Sequence, residues 1–264
     1  MARKIDFINP FGTRVYDEII HKTLSHYASE GTELTISHLE GCPADIDYFY
    51  SKHLIEAVLF ERIMRSEEEG FDAVIVGCCY DPGVRAAREL VDIPVVGPME
   101  ASMQMSSYHG FYYTIVTDHR KAAPYLEDMA HSSGYGGRCR GVRTIDWFVR
   151  DMIKNPDAVA KDTIEICRRV VKETNAETIL MGCTIIAACF QQYLMAGGPH
   201  PDVSIVNPNL MALKVAEGLA DLKQKGGYHI ARSGYNEKPH GHHAKEFVKA
   251  RRAFARAMQH YSES

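Results

Sequence analysis

The sequence predicts an α/β fold with two pseudo-symmetric lobes, each a parallel sheet flanked by helices, and a cleft between the lobes. Short apolar segments alternate with segments of helical spacing along most of the 264 residues, as in sheets with right-handed crossovers. Segment 71–77 is nearly all apolar and rich in β-branched residues, which is typical of a strand buried on both faces. Segment 177–182 is similar, and both segments are followed by cysteine after a glycine.

The first half of the chain contains strand and helix units in regular order. The expected elements are strand 4–10, a helix up to Tyr27, strand 33–39, helix 44–69, strand 71–77, helix 83–91 and strand 93–97. Gly70 ends the long amphipathic helix. The run Asp81-Pro82-Gly83 is expected to form a turn in which Asp81 caps the next helix.

The second half repeats this order. The expected elements are strand 112–117, helix 119–132, strand 138–145, a helix from 156 to about 174, strand 177–182, strand 204–208 and helix 209–223. Pro124 implies a late start or a kink in its helix, whereas Asn155 and Pro156 form a typical N-cap and first position. Residues 224–264 are expected to be an extension with a terminal basic helix, packed on the body or on a neighbouring subunit.

The composition is that of an ordinary globular protein, with 45% hydrophobic and 24% charged residues. The formal net charge of −4 gives no electrostatic reason to expect nucleic acid or an anionic membrane as a partner. No segment approaches the roughly 18 apolar residues of a membrane span. The N-terminal residues lack the apolar core of a signal peptide, and we expect a cytoplasmic protein.

Seven cysteines occur in the chain. An odd number in a reducing compartment argues against a disulfide framework, and the absence of Cys-x-x-Cys spacing argues against a structural zinc site. Each cysteine is therefore either a small buried hydrophobic residue or a reactive thiol.

Two of the cysteines, Cys78 and Cys183, occupy matching positions in the repeat. Ligands bind outside the carboxyl ends of strands in open α/β sheets, so two facing lobes would place both thiols in one cleft. A buried cysteine at a strand end is often only a small apolar residue, but the matched placement favours a functional pair. Cys79 is expected to point away from Cys78 if the strand continues.

Two thiols on opposite walls of a cleft suit proton transfer at a carbon next to a carbonyl. One removes the proton from one face, and the other supplies a proton to the opposite face. The ordinary thiol pKa near 8.5 permits both roles near neutral pH, and a nearby helix N-terminus favours the thiolate. The enolate would need fixed donors, for which the backbone amides after each Gly-Cys and the Thr184 hydroxyl are candidates. No metal or organic cofactor is needed.

The sequence resembles the Asp/Glu/hydantoin racemase superfamily, and within it the hydantoin racemase branch. The resemblance rests on FINP near the start, VIVGCCYDPGVRAARELVDIPVVGPMEAS, and ETILMGCTIIA, and it covers about residues 4–222. It implies cofactor-independent racemisation of a small molecule by Cys78 and Cys183, and a homo-oligomer, with the C-terminal extension as a possible contact. It also implies a first lobe of residues 1–98 plus 208–223 and a second lobe of residues 99–207.

The resemblance further implies which side chains line the substrate pocket beside the two cysteines. These are Asn9, Phe11, Thr13, Cys79, Thr117, Thr184 and Ile185. Phe11 replaces a polar residue of the branch's usual Asn-Pro-Asn-Thr, and Thr184 and Ile185 stand where small residues often follow the second cysteine. Asp118 adds an acidic residue near the cleft. A hydantoin-like substrate is the leading expectation.

Two alternatives stay open at this point. A maleate isomerase-like or arylmalonate decarboxylase-like enzyme would use the same scaffold, although the decarboxylase uses a single cysteine. A small-molecule binding protein without catalytic activity is the other alternative, and slow alkylation of both thiols would favour it.

Overall fold

The computed structural model describes residues 2–44, 46–240 and 242–262, and it contains two parallel four-stranded sheets flanked by helices. The strands are β1 Arg3–Asn9, β2 Thr32–His38, β3 Ala73–Val76, β4 Val95–Val96, β5 Tyr113–Thr117, β6 Cys139–Thr144, β7 Thr178–Met181 and β8 Ser204–Val206. The helices are α1 Asp17–Tyr27, α2 Phe49–Glu68, α3 Val84–Leu90, α4 Pro98–Met105, α5 Ala122–Ser132, α6 Val149–Met152, α7 Pro156–Thr174, α8 Thr184–Met195, α9 Pro208–Gln224 and α10 His242–Ser262.

The two sheets have the same topology. The strand orders are β2-β1-β3-β4 and β6-β5-β7-β8, and all the strand pairs are parallel. The inner strands β3 and β7 are buried at every residue, as their apolar composition on both faces requires. The predicted α/β class with two similar sheets is confirmed. Each Gly-Cys dipeptide follows the inner strand of its sheet.

Helix α9 returns to the first sheet after strand β8 of the second. It packs against β1, β3, β4 and α4. Its Glu217 accepts hydrogen bonds of 2.7 Å from the Ser29 amide, the Ser29 hydroxyl and the Thr32 hydroxyl. This packing supports the lobe boundaries 1–98 plus 208–223 and 99–207, which stay a prediction.

Several element boundaries differ from those expected. Helix α2 begins at Phe49 rather than at 44, because Ile46 and Asp47 turn inward to line a cavity. Helix α5 takes the late start that Pro124 allows, and Asn155 Oδ1 accepts a 3.3 Å hydrogen bond from Ala158 N as the expected N-cap.

Parts of the C-terminal extension contact the body of its own chain. Arg232 donates to the carbonyl of Arg88 over 2.8 Å, and Lys238 lies 2.6 Å from Asp92. The apolar stripe of α10 lies over α2 and α3, and Arg251 Nε donates to Glu61 over 2.8 Å. The homo-oligomer stays a prediction. Among the described helices, none combines the length and apolar character needed to cross a membrane.

Candidate active site

The carboxyl ends of β3 and β7 lie in direct contact. The Thr184 hydroxyl donates a 3.0 Å hydrogen bond to the Gly77 carbonyl, and the Cys79 thiol lies 3.8 Å from the Met181 carbonyl. Both contacts join residues next to the two Gly-Cys dipeptides. The corresponding strand ends of the two sheets therefore face each other.

A small cavity lies between these strand ends. Its walls come from both sheets and from the loops that follow β1, β2 and β5. The lining residues are Phe11, Ile46, Asp47, Cys78, Cys79, Tyr80, Asp118, Val149, Gly182, Cys183 and Thr184. Cys78 and Cys183 both line this cavity and are each 8% exposed, so the two thiols are largely shielded from bulk water.

Glycine is required before each cysteine by close packing. A Cβ at Gly77 would lie 2.3 Å from the Phe7 ring, and one at Gly182 would lie 2.8 Å from the side chains of Ile115 and Leu126. These distances are far below van der Waals contact. Because glycine has no Cβ, the ends of the inner strands can pack closely against these side chains. This packing places the following cysteines beside the cavity.

Cys183 is the N-cap residue of α8. The amides of Ile185 and Ile186 donate to its sulfur and act to lower its pKa, as the positive end of a helix dipole does. Burial and the charge of Asp118 act in the opposite direction and together hold the pKa of Cys183 well above its ordinary value. The expectation of a helix N-terminus beside this thiol is confirmed.

Cys78 has different surroundings, and the same expectation is wrong for it. A loop separates it from α3, which begins at Val84 with Gly83 as its N-cap. Burial raises the pKa of Cys78 to about 12, while the Tyr80 amide and the positive charge of Lys52 act to lower it. The first thiol thus has a cation nearby in place of a helix N-terminus.

Asp81 caps a different helix from the one expected. Its carboxylate accepts hydrogen bonds from Met99 N over 3.1 Å and Glu100 N over 2.7 Å, so it caps α4. The prediction that it caps α3 is wrong, because its φ of 46° turns the side chain toward Gly97. Burial raises the pKa of Asp81 to about 8, against the effect of the two amides. The loop that carries Cys78 is thereby fixed to α4.

The structure brings three of the predicted pocket residues to the cavity together with the two catalytic candidates. Phe11, Cys79 and Thr184 line it directly. Cys79 was expected to point away from Cys78 only if the strand continued; strand β3 ends at Val76, and both cysteines line the cavity. Ile185 is buried within α8 and contributes its amide to Cys183.

The remaining predicted residues lie behind the cavity wall or at a distance from it. Thr117 Oγ1 lies 3.0 Å from the Gly182 carbonyl and 2.9 Å from Asp118 Oδ1, so it supports the wall. Asn9 is buried and donates to Asp17 over 2.8 Å. Thr13 is half-buried and its hydroxyl accepts from Val15 N over 3.3 Å. Neither Asn9 nor Thr13 lines the cavity.

A buried cluster of Asp47, Asp118 and His119 was not predicted as a unit. His119 Nε2 lies 3.5 Å from Asp47 Oδ1 and 3.9 Å from Asp118 Oδ2. Burial raises the pKa of Asp118 to about 6, although His119 acts to lower it. Such a set can hold a proton or a divalent cation. The position of Asp118 and His119 after strand 112–117 was a usable signal, but nothing in the sequence joins them to Asp47.

Comparisons with known proteins agree with this architecture. The family described as Asp/Glu/Hydantoin racemase matches residues 5–216. A hydantoin racemase from Pseudomonas sp. (strain NS671) is 32% identical over 222 residues, which cover 84% of this chain and 88% of that protein.

Two solved structures share the fold over most of their length. Allantoin racemase from Klebsiella pneumoniae superposes with a TM-score of 0.82 at 25% identity, covering 91% of this chain and 95% of that one. Allantoin racemase from Pseudomonas fluorescens superposes with a TM-score of 0.79 at 24% identity, covering 90% and 97%.

Proposed function

Since the chain belongs to the Asp/Glu/hydantoin racemase family and is an isomerase of the racemase type, we propose that it racemises a hydantoin-like ring without a cofactor. The reacting centre is the carbon next to a ring carbonyl. Cys78 and Cys183 are the acid and the base, and they exchange roles when the substrate enantiomer changes.

One observation carries this proposal. The two thiols follow corresponding strands of the two sheets and line a single cavity. Each cysteine is 8% exposed. Inversion through a carbanion needs a base on one face of the carbon and an acid on the other. A single buried cysteine would not require a matched partner across the repeat.

The proton transfers follow from this arrangement. The thiolate of one cysteine removes the proton from the reacting carbon, and the electron pair moves onto the adjacent carbonyl oxygen as an enolate. The thiol of the other cysteine then gives its proton to the opposite face and becomes the thiolate. The enzyme returns to its starting state when the thiols exchange protons with solvent or process the other enantiomer.

Stabilisation of the enolate falls to backbone donors. The Thr184 hydroxyl already donates to the Gly77 carbonyl, so it joins the two sheets and does not point its hydrogen at a ligand. The amides of Cys79 and Thr184 follow the two thiols and are our proposed donors. Donors fixed in a shielded cavity stabilise developing charge without reorganisation.

The cavity lining favours a neutral ring over a dicarboxylate. Among its lining residues there is no Arg or Lys, and the carboxylates of Asp47 and Asp118 are present. These carboxylates would repel an acidic substrate and accept N–H donors. Phe11, Ile46 and Val149 supply apolar contacts for a compact ring. The named activities of the hydantoin and allantoin racemases agree with this substrate class.

A substrate panel tests the proposal. Single enantiomers of 5-substituted hydantoins, allantoin, aspartate and glutamate, together with maleate and an arylmalonate, are incubated with the protein. Optical rotation and product analysis are compared with enzyme-free blanks, because hydantoins also racemise slowly in water. We expect enzyme-dependent loss of optical rotation for the hydantoin class.

The alternatives give different results in the same panel. Release of carbon dioxide from the arylmalonate would establish a decarboxylase-like enzyme, and conversion of maleate to fumarate would establish an isomerase of dicarboxylates. No turnover of any compound, with ligand protection of the cavity thiols, would leave a binding protein. Any of these three results contradicts the proposal.

A further inference from the structure

Lys52 is a buried cation close to the first thiol. It projects from α2, is 2% exposed, and its Nζ lies 3.5 Å from the centre of the Tyr125 ring and 5.0 Å from that of Tyr80. The Tyr125 hydroxyl donates to the Tyr80 carbonyl over 3.3 Å, which fixes the two rings. Tyr80 lines the cavity two residues after Cys78. Lys52 therefore stands directly behind the wall that carries this thiol.

Among the described residues, Lys52 has no carboxylate in ion-pair contact. Within the described part of the chain, no carboxylate oxygen lies within the 4.0 Å of an ion pair with its Nζ. The charged and titratable groups that act on it are Cys78, Glu56 and Asp81. Burial lowers the pKa of Lys52, and these three groups act to raise it. An ammonium that is buried over two aromatic faces is stabilised further by a nearby anion.

The second thiol faces the opposite charge. Asp118 lines the same cavity, and Thr117 Oγ1 lies within hydrogen-bond distance of both its carboxylate and the Gly182 carbonyl, next to Cys183. Cys78 and the amides at the start of α8 also act on Cys183. At Cys78 the carboxylates of Asp81 and Asp118 likewise act to raise the pKa of the thiol, but Lys52 acts to lower it more strongly than either carboxylate raises it. A full carboxylate charge is larger than the partial charge of a helix end, and Asp118 affects the pKa of Cys183 more than either amide does.

We propose that this charge asymmetry sets the order of ionisation: Lys52 stabilises the Cys78 thiolate, Asp118 opposes the Cys183 thiolate, and Cys78 ionises first. Lys52 is then a positioning residue that acts through Cys78. Resting on the proposed function, this assignment makes Cys78 the initial base, so the enantiomer that presents its hydrogen to Cys78 reacts with the resting enzyme directly.

Alkylation of the thiols tests the inference without any substrate. Iodoacetamide labelling is followed from pH 6 to pH 10, and peptide mass spectrometry gives the rate at each cysteine. Half-buried Cys42 is the internal reference, and fully buried Cys167 and Cys189 report unfolding if they become labelled. We expect Cys78 to react about tenfold faster than Cys183, the effect of one pKa unit.

Three variants and one control separate a charge effect from a packing effect. Lys52→Met should slow labelling of Cys78 about tenfold at neutral pH and shift its pH profile upward, while Lys52→Arg should restore it. Asp118→Asn should speed labelling of Cys183. Lys121→Met is the matched control, because Lys121 also stacks on aromatic rings, 4.7 Å from Tyr48 and 5.2 Å from Phe49.

Faster labelling of Cys183 in the unaltered protein would overturn the inference. An unchanged Cys78 profile in a folded Lys52→Met variant would do so as well. The labelling result does not depend on turnover. If the protein is an active racemase but Cys183 reacts faster, only this inference is contradicted. If Cys78 reacts faster but the protein has no racemase activity, only the proposed function is contradicted.

Discussion

The two Gly-Cys strand ends are alike in sequence and topology but differ in what surrounds the sulfur. Cys183 caps α8 directly and receives its first free amides, with Asp118 nearby. Cys78 lies in a loop that Asp81 fixes to α4, with Lys52 behind it. The repeat thus places the two thiols at corresponding positions, whereas side chains that differ between the two halves set their electrostatic surroundings. The positions of the two thiols and the charges around them therefore have different origins in the sequence.

Among the substitutions considered, removal of either thiol should have the largest effect on the racemisation rate. We expect Cys78→Ser and Cys183→Ser each to lower the rate of racemisation by about 10²- to 10⁴-fold, because serine is a far weaker base at neutral pH. Cys189→Ser, within α8, is the control and should retain the rate if folded. Polarimetry with one hydantoin enantiomer measures the change. Full activity in either cavity variant would show that the two ends are not a functional pair.

The carboxylate beside Cys183 should make stability depend on pH. Burial raises the pKa of Asp118 to about 6 in the folded state, above its ordinary value of 3.8. The stability that its neutral form provides is complete below about pH 4 and is lost as the pH rises through about 6. Relative to Asp118→Asn, the unaltered protein should lose up to about 3 kcal/mol across that window.

Denaturant titrations of both proteins at several pH values measure this difference. A constant offset between them from pH 4 to pH 7 would mean that Asp118 ionises normally. It would also remove the carboxylate from the comparison of the two thiols.

The loop beside Cys78 should depend on its cap. Asp81→Ala leaves the amides of Met99 and Glu100 without their buried acceptor, and we expect a loss of about 1–3 kcal/mol in the free energy of unfolding. Asp157→Ala, in the exposed first turn of α7, is the matched control and should change it by less than about 1 kcal/mol. Equal effects in the two variants would contradict the capping role.

The bond between the two strand ends should have the smallest effect. Thr184→Val removes the hydroxyl that donates to the Gly77 carbonyl and should cost about 1 kcal/mol, with a modest fall in the racemisation rate. Thr144→Val, which loses a surface bond of 2.8 Å to Asp146, is the control. A greater loss in the control would show that the link does not hold the ends together.

The sequence predicts the parts of the fold that depend on local pattern. The apolar runs of β3 and β7, the Gly-Cys repeat and the Asn155 cap could all be read directly. The start of α2 could not be predicted, because Ile46 and Asp47 continue a helical pattern in the sequence. In the structure they precede the helix and line the cavity. The roles of Asp81 and Lys52 depend on partners that are distant in sequence, which pattern alone does not reveal.

Racemisation in deuterium oxide tests the two-thiol mechanism most directly. A single hydantoin enantiomer is converted to low extent, and each enantiomer is separated and examined for deuterium at the reacting carbon. The account predicts deuterium in the product enantiomer and retained protium in the remaining starting enantiomer, because the proton leaves to one thiol and arrives from another. A product that keeps its original protium would contradict the two-thiol account, since one group would then have carried the proton across.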